Sequence, residues 1–273
     1  MSAAPARLDA IAARLLAAYD GSALTGLPSA EPAGLSWAEA FAVAERTRQV
    51  RLERGERIVG YKIGFTNRGI WDRYGVHTPI WAPVWDTTTT LLDGTTHTSS
   101  LAGLSQPRLE PEVAFGFART PRAGLGLAEL AACLDWVAHS FEIVHTHFDG
   151  WRFQAADCVA DFALHGRLFV GPRVPVSRFA DLAADTAALR ISLHENLSHV
   201  ETGDATIVLD GPLNALRLWV DAMAVHSPQW AIEPGHAVTT GTITDAQPMQ
   251  PGQHWHTAVS DPRLSGLRLS TVG

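Results

Sequence analysis

A chain of 273 residues can form one large domain or one and a half ordinary ones. With 46% apolar and 18% charged residues it has the composition of a folded globular protein, and a net charge of −7 without any dense Lys/Arg block argues against a nucleic-acid surface. The two cysteines, Cys133 and Cys158, lie in apolar, helical-looking contexts and form no C-x-x-C, which predicts buried thiols in a reducing compartment.

The opening "MSAAPARLDAIAARLLAAYDG" is Ala-rich but interrupted by Arg7, Asp9 and Arg14, so it reads as an amphipathic helix over 8–20 and not as a signal peptide. No run approaches the ~18 apolar residues needed to span a membrane; the expectation is a cytoplasmic protein without membrane or nucleic-acid partners. Ser36 and Glu39 have capping-box spacing and open a second helix through "AERTRQVRLERGE". "IVGYKIGF" then reads as a strand, with Lys62 between Tyr61 and Ile63 and glycines 60 and 64 beside it. Taken alone, such a lysine is as readily an edge-strand residue as a functional one. Residues 69–107 are rich in Gly, Pro, Thr and Trp, with short strands expected around Trp85 and Leu91.

"RLEPEVAF" (108–115) sets Glu110 and Glu112 in an otherwise apolar strand. Strand side chains alternate, so both glutamates share a face with Ala114 and Gly116, while Leu109, Val113, Phe115 and Phe117 take the other. Two carboxylates roughly 6–7 Å apart along a strand repel unless solvated, protonated or bridged by a cation. A solvated face would continue with polar residues; this one continues with small ones. Oxygen donors without a nearby cysteine suit a hard ion such as Mg²⁺ or Mn²⁺, and a third ligand is needed.

Beyond it, the pattern predicts a helix over 127–139, a strand "SFEIVHTH", a helix near 156–165 and a strand "RLFVG". Strands follow at 187–195 and 205–209, joined by a turn at "ETGD". A helix starts near Pro212, a good first-turn residue, and strands close the chain at "AVTTGTIT" and "LSGLRLSTV". Strands dominate the middle and end with helices irregularly interspersed, which predicts an α+β fold. A helical N-terminal part, 1–57, precedes a β-rich catalytic core, 58–273.

Glu142, between Phe141 and Ile143, is the candidate third ligand; otherwise it pairs with an arginine. Three carboxylates and a lysine on apolar strands are hard to explain as unrelated burials, because each is costly unpaired. "HENLSH" (194–199) spaces its histidines one residue too far for a zinc helix, and Asn196 and Ser198 favour a turn. His145/His147 and His254/His256 are same-face strand pairs able to bind metal, but neither suffices alone.

"VGYKIGFTN", "QPRLEPEVAF", "FEIVHTHFDGW" and "ADCVADFALHG", in this order and spacing, resemble the 2-keto-4-pentenoate hydratase/4-oxalocrotonate decarboxylase family of the fumarylacetoacetate hydrolase superfamily, over about residues 55–245. The resemblance implies a β-rich superfamily core, a homo-oligomer, and one Mg²⁺ or Mn²⁺ on three carboxylates matching Glu110, Glu112 and Glu142. It matches the family's strand lysine to Lys62 and its following aspartate to Asp86, the candidate general base. Thr242 is a candidate for binding the substrate carboxylate. Where many hydratases carry an amide after Asp161 this chain has Phe162, from which an apolar pocket and a preference for monocarboxylic substrates are expected.

The activity so implied is a metal-dependent hydratase converting a 2-hydroxy-2,4-dienoate or 2-oxo-enoate of aromatic catabolism to a 4-hydroxy-2-oxo acid. Decarboxylation of a 4-oxalocrotonate or C–C hydrolysis of an acylpyruvate would use the same electron sink. A reading of another class is a non-catalytic protein with a structural metal site, in which Lys62 would have no obvious task.

Overall fold

The computed structural model describes residues 3–273. Its first half contains α1 (Ala3–Gly21), α2 (Trp37–Glu53), β1 (Ile58–Gly64), α3 (Trp71–Tyr74), β2 (Ile80–Trp85), β3 (Thr89–Leu91), β4 (Thr96–Ser100), β5 (Arg108–Phe117), α4 (Leu127–Ala131) and β6 (Leu134–Val144). The second half contains α5 (Ala155–Ala160), β7 (His165–Val170), β8 (Val174–Pro175), α6 (Leu182–Ala187), β9 (Arg190–Glu195), β10 (Ser198–Asp204), α7 (Pro212–His226), β11 (Ala237–Thr242), β12 (Gln247–Pro248), β13 (His254–Val259) and β14 (Arg268–Val272).

Two sheets organise these strands. A nine-stranded sheet runs β2-β1-β11-β5-β6-β7-β3, with β12 also beside β5 and β8 beside β6; a five-stranded sheet runs β10-β9-β13-β14-β4. The long strands β5 and β6 pair antiparallel at the centre, and β11 on the other side of β5 links it to β1. The fold is therefore β-rich α+β, as the pattern predicts.

The helices form where the capping and apolar spacing place them. Ser36 Oγ accepts the Glu39 N–H while the Glu39 carboxylate accepts the Ser36 N–H, closing the capping box of α2. Leu8, Ile11 and Leu15 of α1 and Phe41 and Val43 of α2 join Tyr61, Trp81, Phe115 and Trp219 in one continuous apolar cluster. Burial of each large member contributes about 1.5–3 kcal/mol.

Three local readings are corrected. The helix expected over 127–139 stops at Ala131, and from Leu134 the backbone turns to β6. Leu127, Leu130, Ala131 and Leu134 have helical spacing, but Trp136–His139 pair with β5, and Gly116 leaves room for the Trp136 indole, where a Cβ would sit 2.0 Å from the ring. "ETGD" is part of β10, which pairs with β9 across Asn196-Leu197, and 205–207 form a 3₁₀ turn. The helix near 156–165 is α5 followed by a break at Phe162–Leu164, where three consecutive residues have positive φ (57°, 47° and 64°).

Candidate active site

The β5–β6 register sets Glu110 directly opposite Glu142, with Glu112 two residues further along β5. One carboxylate oxygen from each lies within 4.8 Å of the others, and no other set of three metal-ligating side chains among the described residues is so close. Glu112 and Glu142 are fully buried. Like charges directly opposite across a sheet destabilise it unless something neutralises them.

Their titration reflects that conflict. Burial pushes Glu110 up to about 7, with Lys62 opposing it and Glu142 adding to it. Burial raises Glu112 well above the carboxylate range, and Glu142 and Glu110 raise it further. Burial also pushes Glu142 upward, but Lys62 and His165 outweigh it and hold Glu142 below the usual range. For Lys62 burial favours the neutral amine, yet Glu142, Glu110 and Glu112 prevail and raise its pKa, so it stays an ammonium.

Lys62 is buried on β1, 3.1 Å from Glu142 Oε2, and donates to the carbonyl oxygen of Ala163 at 3.0 Å. That carbonyl is presented by the left-handed break after α5, a conformation costly for non-glycine residues and typical of functional sites. Glu142 Oε1 lies 2.8 Å from His165 Nδ1, and Gly241 N–H donates to Glu112 Oε2 at 2.9 Å. Glu112 Oε1 is fully buried without a hydrogen bond, and the equally buried Glu142 Oε2 has only the Lys62 ammonium beside it. Three converging carboxylates, one with an orphaned buried oxygen, form an oxygen-only donor set that fits a hard divalent cation held by Glu110, Glu112 and Glu142.

A cavity of about 450 Å³ opens beside them, lined by Lys62, Glu110, Thr242, Arg108, Tyr74 and Trp151 among others. Thr242 lies on its wall, its hydroxyl donating to Thr244 O at 2.8 Å. Asp86 is not brought in: at the end of β2 it forms an ion pair with Arg57 (2.9 Å) and accepts the Arg57 N–H, a correction to its reading as general base. Phe162 is also corrected. The positive φ turns its ring under the N-terminal helices, 4.6 Å from Tyr19 and 5.9 Å from the Arg51 guanidinium, and only its neighbours Ala163 and Leu164 line the cavity. The apolar-tail preference drawn from Phe162 loses its basis.

His145 and His147 are buried behind the site, His147 Nδ1 lying 2.6 Å from Asp161 Oδ1, and neither joins the carboxylates. His254 and His256 stand on β13 in the other sheet. Sequence reasoning missed His165, Gly241 and Arg108. Gly241 left a trace, a glycine inside a strand that marks a bulge; its φ is +99°, and a Cβ there would meet Thr66 Oγ1 at 1.9 Å.

The same fold is found in the fumarylpyruvate hydrolase of Pseudomonas aeruginosa, solved with Mn²⁺ and pyruvate, with a TM-score of 0.56 over 78% of this chain and 88% of that one at 13% identity. No family model matches the chain. It is 28% identical over 222 residues to the 4-oxalocrotonate decarboxylase of Pseudomonas sp. (strain CF600), covering 81% of this chain and 80% of that protein. It is 28% identical over 218 residues to the 2-hydroxyhexa-2,4-dienoate hydratase of Comamonas testosteroni, covering 80% of each. The 4-oxalocrotonate decarboxylase of Pseudomonas putida G7, solved with magnesium and adipate, superposes with a TM-score of 0.89 over 98% of both chains at 22% identity. The chain is thus similar both to 4-oxalocrotonate decarboxylases and to 2-hydroxydienoate hydratases, at 28% identity over about four-fifths of its length.

Proposed function

We propose that this protein is a divalent-metal-dependent lyase that hydrates a 2-hydroxy-2,4-dienoate or its 2-oxo-enoate tautomer to a 4-hydroxy-2-oxo acid in aromatic-compound catabolism. The observation that carries this reading is the trio Glu110–Glu112–Glu142, with Glu112 Oε1 orphaned and Glu142 Oε2 facing only Lys62, beside a cavity that this cationic lysine also lines. Mg²⁺ or Mn²⁺ bound there would polarise the adjacent oxygens of a 2-oxo acid and act as an electron sink.

The remaining roles fall to the chain's own side chains. Lys62, kept as an ammonium and aimed by Ala163 O, faces the negative charge that develops on the substrate's C2 oxygen as its double bonds shift. His165 and the Gly241 N–H fix the orientation of Glu142 and Glu112. Thr242 lies on the wall, and its hydroxyl would donate to the substrate carboxylate on turning away from Thr244 O. In balance, the 2-hydroxyl proton is transferred to C5, and water then adds hydroxyl at C4 and hydrogen at C3.

Loss of CO₂ from a 2-oxo-3-enedioate is the second reading, favoured by the relatives' division between hydratases and decarboxylases. The test is to follow 2-hydroxypenta-2,4-dienoate and 2-oxohex-3-enedioate with Mg²⁺ or Mn²⁺ and after chelation, assaying 4-hydroxy-2-oxo acid and CO₂. Metal-dependent hydration supports the proposal; CO₂ release without hydration would replace it with the second reading, and inertness toward both would refute both.

A further inference from the structure

Two residues along β5 from Glu110, the cavity wall carries a charge that the reaction at C2 does not use. Arg108 and Glu110 are two residues apart on β5 and both line the cavity. The Arg108 guanidinium stacks on the Trp151 ring at 4.2 Å, while the Trp151 N–H donates to Gln106 O. Among the described residues this guanidinium has no carboxylate within 4.0 Å and no hydrogen-bond acceptor, although it is half-buried. Stacking occupies a face of the guanidinium and leaves its in-plane N–H groups free for bidentate contact with an anion. No Arg108 nitrogen is among the buried unpartnered atoms, so the guanidinium stays open to the cavity and to an anion entering it.

The carboxylates nearby do not serve it. Glu110 belongs to the trio, Glu201 accepts the Asp245 N–H and the Gln247 amide, and Asp245 is exposed at the rim. Arg73, exposed at the cavity mouth and packed on the Tyr74 ring at 5.4 Å, adds a second cation on the same side.

Resting on the proposed metal-dependent reading of this site, we infer that Arg108 binds a distal carboxylate, so that the substrate is a 2-oxo or 2-hydroxydienoic dicarboxylic acid. The two-residue repeat between Glu110 and Arg108 is roughly 6–7 Å, which suits an extended six- or seven-carbon diacid with its 2-oxo head at the carboxylate trio. A guanidinium on that distal group also bears on the reaction type. Decarboxylation breaks the bond to the carboxylate and turns it into neutral CO₂, so a cation that stabilises the charged form opposes the step. Hydration leaves the distal carboxylate charged throughout.

The experiment is calorimetric and involves no turnover: Mn²⁺-loaded protein is titrated with 2-oxoadipate, with 2-oxohexanoate of the same length, and with oxalate. The native protein should bind 2-oxoadipate at least about tenfold more tightly than 2-oxohexanoate. Arg108→Leu should abolish that preference and leave oxalate and 2-oxohexanoate unchanged; Arg108→Lys should restore part of it, and Arg73→Ala should reduce it less. Arg108→Gln, which keeps much of the stem, guards against a packing defect. Equal affinity of the native protein for the two acids overturns the inference while leaving the metal reading intact, as does a variant that loses oxalate and both acids alike. Failure of all three ligands to bind in a Mn²⁺-dependent way overturns the metal reading and this inference with it.

Discussion

Two regions of this protein concentrate metal-type side chains, and only one has the geometry of a site. In the nine-stranded sheet, Glu110, Glu112 and Glu142 bring their carboxylate oxygens together at depth, with Glu112 Oε1 buried and unpartnered. In the five-stranded sheet, the His194 ring lies 5.3 Å from His199 and is stacked on His256 at 4.7 Å and 9°, but the ring nitrogens do not come together as the carboxylate oxygens do. Imidazole lone pairs lie in the ring plane, so rings stacked face to face direct their nitrogens along parallel planes and not at a common point. Exposed His199 and His254 are satisfied by Thr202 and Ser270 hydroxyls. His194 Nδ1 is itself buried without a partner, so neither residue type nor an unpartnered atom distinguishes the site; convergence of three donors beside a cavity does.

The contrast is tested most strongly by function. Lys62→Ala should lower kcat by roughly 10² or more, through lost charge stabilisation, while metal affinity is retained. His256→Ala, in the other sheet, should change kcat less than about twofold, in line with ordinary surface substitutions. A near-native rate for Lys62→Ala would reduce that lysine to a strand residue.

Backbone substitutions sharpen the same contrast. Gly241→Ala forces a Cβ to 1.9 Å from Thr66 Oγ1 at φ +99° and disturbs the N–H that holds Glu112, so a loss of roughly 3 kcal/mol is expected from strain plus overpacking. Gly252 also has positive φ (+85°) but nothing within 4 Å of a built Cβ, so Gly252→Ala should cost only about 1 kcal/mol. Denaturant midpoints of the two variants decide this, and equal costs would deny Gly241 its positioning role.

The smallest effect is a pH dependence. A carboxyl raised from 4.5 to about 7, as Glu110 is, stabilises the metal-free fold fully below 4.5, and that stability is lost as pH rises through 7. Metal needs the ionised form, so the increase in Tm on adding Mn²⁺ should be near zero at pH 4.5 and grow to several degrees above pH 7. His139, depressed by burial to about 4, has the opposite sign: its stability is full above 6.5 and is lost as pH falls toward 4. That loss occurs with or without metal and cancels in the difference. A Tm increment that is flat with pH would contradict the assignment of Glu110.

Much of this site could be read from local sequence because its signal is local. Alternation along β5 places Glu110 and Glu112 on one face, and isolated charges in apolar strands mark Lys62 and Glu142. Asp86 misled because a strand-end aspartate looks the same whether it faces a cavity or Arg57. Phe162 misled because its direction depends on a left-handed backbone that no residue between 162 and 164 advertises, none being glycine. His165 and Gly241 reach the glutamates only through the β6–β7 and β5–β11 pairings, so their roles exist in the tertiary register and not in any segment. The β6 start was hidden by helical spacing that pairing with β5 overrode.

The central claim is that the three glutamates together hold one divalent ion. Its most direct test is isothermal titration of Mn²⁺ into the native protein, Glu110→Gln, Glu112→Gln, Glu142→Gln and the double variant His194→Ala/His256→Ala, each first shown folded by circular dichroism. The account predicts about one ion per chain in the native protein and the histidine variant, with affinity reduced at least about tenfold in every glutamate variant. Unchanged affinity in all three glutamate variants, or loss confined to the histidine variant, would contradict it.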